Sequence, residues 1–196
     1  ISGYLNTGAL LDPDDKLGLA DFTAAMLMRG TERHTFNQVY ELLESSGASL
    51  GFSGNIHTTS FNGKALIEDL PMLLGLLNEL LTTPAFPEVY VEKLRTQLLT
   101  GLAIRAQDTG DMAALTFDQL LFAGHPYARP EDGYPETIAN ISRSDLAQYH
   151  AKNYGPRGMV LAMVGAIEPS HALDLVQGSL AGWSNPIQTE SPMLPK

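Results

Sequence analysis

Between Leu66 and Leu81 the chain carries Leu70, Leu73, Leu74, Leu76, Leu77, Leu80 and Leu81. At the helical period these side chains point to nearly every side of one helix. A helix that is apolar all round has to be buried all round. The other elements of the chain, or a partner, must therefore enclose it. A chain of 196 residues is long enough to build such a core within one compact domain. With 44% hydrophobic and 17% charged residues it has the composition to do so, unlike a disordered chain.

The elements available for that enclosure alternate in kind. Ile1 to Leu10 is β-branched and aromatic and predicts a strand. Leu19, Phe22, Met26 and Leu27 recur at helical spacing, predicting a helix over about Gly18 to Met28 that ends at Gly30. Thr35 and Gln38 form a capping-box pattern ahead of Val39, Leu42 and Leu43, a helix closed by Gly47. Ala48 to Ser53 and Asn55 to Phe61 predict a hairpin or two adjacent strands, with a turn signal at Gly54-Asn55. Beyond the leucine helix, Pro87 to Gln107 predicts the longest helix, opening at Pro87. Asp111 to Phe122, Ser142 to Tyr154 with a cap at Ser142, and Pro169 to Leu180 predict three more, with a strand over Met159 to Gly165. Strands at both ends with helices between them indicate an α+β fold: one mixed, mainly antiparallel sheet with helices mostly on one face. Residues 1–183 read as one domain. From Ser184 the sequence turns aperiodic and rich in Pro, Ser and Thr, so 184–196 reads as a linker to a further domain. Ile1 opens directly into a strand, which suggests an upstream strand as well.

The charge balance narrows function. Twelve Lys and Arg against 22 Asp and Glu give a net charge of −10. Nucleic acids and anionic membranes are poor partners for such a chain, because phosphates need concentrated positive charge. No apolar run is long enough to span a bilayer. The absence of cysteine excludes disulfides and thiolate metal sites but leaves periplasm and cytoplasm equally open. His34, His57, His125, His150 and His171 are dispersed, and none pairs with another at metal-ligand spacing.

A resemblance enters at Gly18 to Thr31, which reads Gly-Leu-Ala-Asp-Phe-Thr-Ala-Ala-Met-Leu-Met-Arg-Gly-Thr. It is similar to the active-site helix of the pitrilysin/insulinase family of zinc peptidases, Gly-Leu-Ala-His-Phe-x-Glu-His-Met-Leu-x-x-Gly-Thr. Further matches follow in order: Gly47-Ala48, Pro84 to Pro87, His125-Pro126-Tyr127 with Gly133, and Tyr154 through Val164-Gly165. The match resembles the first of the family's two related halves, of the processing-peptidase-like type, less its opening strand.

The same resemblance implies that the chemistry has been lost. The family's two zinc-binding His fall at Asp21 and Ala25, its general base at Ala24, and its third ligand, a Glu, at Gly101. Alanine and glycine offer no ligand atom, and a methyl group takes no proton from water. Asp21 alone keeps an oxygen, whereas catalytic zinc takes three protein ligands. The expectation is a noncatalytic subunit or half that binds no zinc or other cofactor. It would help an active zinc-peptidase partner, or the second half of its own protein, to form a peptide-binding chamber. Ile56, His57, Thr58, Thr59, Ser60 and Phe61 are expected to be the edge strand that takes peptide by strand addition; an ordinary sheet strand is the equal alternative. Met26, Met28, Met72, Met112, Met159 and Met163 are expected as core filler. Two other functions stay open. One is a structural or interaction protein like the core subunits of respiratory complexes. The other is a zinc endopeptidase with an unrecognised site.

Overall fold

The computed structural model describes residues 1–190 together with Pro192 and Leu194. The end of the expected linker, Ser191, Met193, Pro195 and Lys196, lies outside the described residues. The sheet is formed by β1 (Ser2–Leu5), β2 (Ser49–Gly54), β3 (Thr59–Lys64) and β4 (Val160–Ala162) in the order β2-β3-β1-β4. Every neighbouring pair is antiparallel. The helices are α1 (Leu19–Leu27), α2 (Phe36–Ser45), α3 (Leu70–Thr82), α4 (Glu88–Arg105), α5 (Thr109–Leu121), α6 (Pro135–Asn140), α7 (Arg143–Asn153) and α8 (Pro169–Leu180). The architecture is α+β, as the alternation of patterns predicts.

Strand periodicity splits the sheet into two faces. Leu5, Leu50, Thr59 and Phe61 point inward and are buried. The other face is open and mostly polar, with Tyr4 and Val160 as exposed exceptions: Ser53 and Ser60 share a hydrogen bond of 2.9 Å, and Ser2 donates to Asn62 at 2.9 Å, both exposed. Gly3 has no side chain because Phe61 fills the space; a Cβ there would lie 2.3 Å from the Phe61 ring. α1 crosses the inner face against β2 and also packs on α4 and α7.

The leucine helix is enclosed by the chain itself. All seven leucines of α3 are buried, with α8 packed along it. Only a narrow stripe, with Pro71 and Gly75 exposed, reaches solvent. No partner is needed to cover α3.

Several boundaries move for local reasons. β1 stops at Leu5 because Thr7 N–H turns back onto the Leu5 carbonyl. The hairpin turns at 55–58, not at Gly54-Asn55: Asn55 Oδ1 accepts from the backbone N–H groups of His57 and Thr58, each at 2.9 Å. Pro87 caps α4 from outside instead of starting it. α5 starts two residues before the expected Asp111, because Asp108 caps it by accepting from Asp111 N–H at 2.9 Å. α6 has no counterpart in the sequence reading; a helix of six residues is too short to show a period. The capping boxes at Thr35 and Ser142 form as their patterns predict. Of the methionines, Met26 is fully enclosed while Met112 is exposed. The start of the expected linker is pinned to the domain: Asn185 Nδ2 donates to the carbonyls of Ala151 and Tyr154, and Gln188 Oε1 accepts from Arg157 N–H at 3.0 Å.

Candidate functional site

α1 carries the positions that matter. Its N-terminus falls at Gly18, which adopts φ +92° and has no side chain with which to cap the helix. Asp12 supplies the cap from upstream. Its Oδ2 accepts from Gly18 N–H and its Oδ1 from Ala20 N–H, each at 2.9 Å. Nothing in the local sequence marks Asp12 as a cap; the missing side chain at Gly18 is the signal that a cap has to come from elsewhere. Burial raises the Asp12 pKa to about 7, against the pull of these N–H groups and of Arg129.

Asp21 and Ala25 lie one turn apart and share the half-buried face of α1, while Ala24 points into the core and is fully buried. β2 reaches α1 through Gly54; a Cβ on Gly54 would sit 2.8 Å from the Asp21 Cα. Gly101 is exposed in the interior of α4, with no atom near where its Cβ would be. α1 meets α4 where the Arg95 guanidinium lies over the Phe22 ring at 5.6 Å.

The surroundings of Asp21 are acidic. Desolvation raises its pKa to about 6, and the carboxylates of Asp132 and Glu131 push the same way, opposed by Gly54 N–H. Glu131 is raised too, by burial first and by Asp132 to a lesser degree, against a hydrogen bond from Ile56. Arg105 holds Asp132 in an ion pair. Neither Glu131 nor Asp132 figured in the sequence reading, because the fold brings them to α1 from a loop more than a hundred residues away. Folding raises the Asp21 pKa, so the folded state binds that proton more tightly than the unfolded chain. The contribution of Asp21 is fully favourable below about pH 4 and is lost as pH rises through about 6. Asp21→Asn should therefore gain stability relative to the parent chain by about 1–2 kcal/mol between pH 4.5 and pH 8. Urea unfolding at the two pH values measures this, and a difference that does not change with pH would refute the assignment.

The expected peptide-binding strand needs correction. Ile56, His57 and Thr58 form the hairpin turn, and His57 Nε2 meets the Tyr127 hydroxyl at 2.9 Å. Thr59, Ser60 and Phe61 begin β3, which lies between β2 and β1 with its backbone paired on both sides. A strand paired on both sides has no row of free N–H and C=O groups to offer a peptide. Thr59 and Phe61 are buried besides. Among the described residues, the strand next to α1 with an unpaired edge is β2, one strand earlier in the sequence.

Zinc, the metal that this fold family implies, does not fit these residues. Among the described residues no group of three His, Cys, Asp or Glu side chains is placed to hold a metal ion. Of the positions that the resemblance assigns to the metal ligands, Asp21, Ala25 and Gly101, Asp21 alone carries a side-chain donor.

The fold, an antiparallel sheet with helices packed on it, is shared with peptidase domains of one family. The model of the insulinase family, peptidase family M16, matches residues 3–123, and that of the peptidase M16 inactive domain matches residues 140–196. The chain belongs to peptidase family M16. It is 28% identical over 181 residues to mitochondrial cytochrome b-c1 complex subunit 1 of Bos taurus, covering 92% of this chain and 38% of that protein. It is 30% identical over 173 residues to the non-peptidase homolog YmxG of Helicobacter pylori (88% and 40%). It is 27% identical over 161 residues to an uncharacterized zinc protease of Mycobacterium leprae (82% and 36%). The chain thus spans about two-fifths of the length of these relatives. The crystal structure of a peptidase M16 inactive domain from Pseudomonas fluorescens superposes with a TM-score of 0.89 at 25% identity, over 96% of this chain and 46% of that one.

Proposed function

We propose that the chain is a noncatalytic part of an M16 assembly. It binds no zinc and hydrolyses no peptide bond, and it helps an active zinc-peptidase subunit, or the second half of its own protein, to form a peptide-binding chamber. The observation that carries this reading is the state of α1. The helix packs on the sheet and against α4, and the resemblance assigns the family's ligands and base to its Asp21, Ala24 and Ala25, and the third ligand to Gly101 on α4. Peptide would add along the free edge of β2, beside the polar open face of the sheet.

A second reading, a structural subunit of a membrane complex, is favoured by the likeness to cytochrome b-c1 complex subunit 1. Copurification of the full parent protein from its own cells separates the two. Recovery with a peptidase that carries an intact His-x-x-Glu-His supports the chamber reading. Recovery with a respiratory membrane complex supports the other, and peptide hydrolysis by the isolated chain would overturn both.

A further inference from the structure

α5 is weakly supported by its own domain. It has 13 residues and none of them is buried. Isolated helices of about this length are marginal in water, so the packing of one face normally has to hold them. Its own domain supplies little of that. Leu115 and Gln119 are half-buried, and Gln119 donates to the Tyr134 hydroxyl at 2.9 Å. The opposite face is apolar and open. Ala113, Phe117, Leu120 and Leu121 follow at helical spacing and form one stripe. Phe117 is 61% exposed, Leu120 75% and Leu121 60%. A contiguous stripe of large apolar side chains, unlike singly scattered ones, marks a contact surface.

The charges beside the stripe say what kind of contact. α5 carries Asp111 and Asp118 and no basic residue, and its cap is Asp108. A cleft of about 230 Å³ alongside is lined by Asp118, Glu131 and Asp132. Arg129 also lines it, but its guanidinium is bonded to Asp14 and to the Leu10 carbonyl, and Arg105 is taken up by Asp132. A second copy of this acidic chain would bring like charges together at the rim, whereas a partner with basic flanks would be drawn in.

We propose that α5 is a docking helix: its stripe receives an amphipathic helix of a partner protein, with an apolar ridge bordered by Lys and Arg. The proposal rests on the reading of the chain as a noncatalytic part of an assembly, and it names the surface and the chemistry of the partner. Two synthetic peptides of about 18 residues test it, both helical with Leu on one face, one with Lys and one with Glu on the other. By fluorescence anisotropy the Lys peptide should bind at least about tenfold more tightly than the Glu peptide at low salt, and that advantage should shrink as salt is added. The exposed double substitution Phe117→Ser, Leu120→Ser should weaken the Lys peptide by about tenfold or more while circular dichroism stays unchanged. Asp111→Asn with Asp118→Asn should reduce the preference for Lys. Equal binding of both peptides, or binding indifferent to the double substitution, overturns the proposal. So does sedimentation showing a dimer of the chain that the double substitution dissociates, since the occupant would then be a second copy. Zinc content and hydrolysis do not enter these readouts. A chain that proved catalytic would refute the noncatalytic reading and leave the docking result to stand or fall separately.

Discussion

The triple substitution Asp21→His, Ala25→His, Gly101→Glu is expected to raise the zinc retained after dialysis from a trace to about one equivalent. Positions 21 and 25 share the half-buried face of α1, so two imidazoles there would point the same way. Position 101 lies on α4, which packs against α1, and has no atom within reach of a new Cβ. The glutamate should be tolerated, because a glycine inside a helix costs roughly 0.5–1 kcal/mol relative to alanine. Adding Ala24→Glu restores the base as well, but position 24 is fully enclosed, so that variant should lose stability. Elemental analysis reads the zinc and circular dichroism confirms the fold. A folded triple variant without zinc would mean that Gly101 is not where the family's third ligand stands.

The second large effect lies in the core. Leu77→Ala should destabilise the domain by about 3 kcal/mol, lowering the melting temperature by roughly 10 °C. Leu77 is fully buried at the centre of α3, and removing its side chain leaves a cavity that rigid neighbours cannot fill. Gly75→Ala on the same helix makes the contrast. Gly75 is exposed with nothing within 4 Å of a Cβ, so the substitution should gain about 0.5–1 kcal/mol from helix propensity. A loss below about 1 kcal/mol for Leu77→Ala would show that α3 is not the enclosed helix described.

How much was legible follows from these elements. Helices with a strong period and a local cap, such as the one opened by Thr35 and Gln38, can be read residue by residue, because their signals are local. α3 was legible as a helix but not as to what covers it. Its leucines left open whether the domain's own elements or a partner cover them, and the structure encloses them within the domain and leaves α5 open. Nothing within a single helix distinguishes cover by its own domain from cover by a partner. The edge strand was misplaced for a related reason. Composition says that Thr59 to Phe61 is a strand, whereas order in the sheet depends on β1, which pairs with it from some sixty residues away. The positions on α1 that the resemblance assigns to the ligands and base could be numbered because the flanks on both sides of them match the family. The acidic surroundings of Asp21 were not, since Glu131 and Asp132 arrive through tertiary folding alone.

The central claim, that this M16 chain has lost its catalytic metal, is tested most directly by elemental analysis of the unmodified protein. The protein is saturated with zinc, dialysed against metal-free buffer and assayed for metal per chain. Retention far below one equivalent, unchanged by Asp21→Asn, is the predicted result. One tightly held zinc per chain, lost on Asp21→Asn, would contradict it.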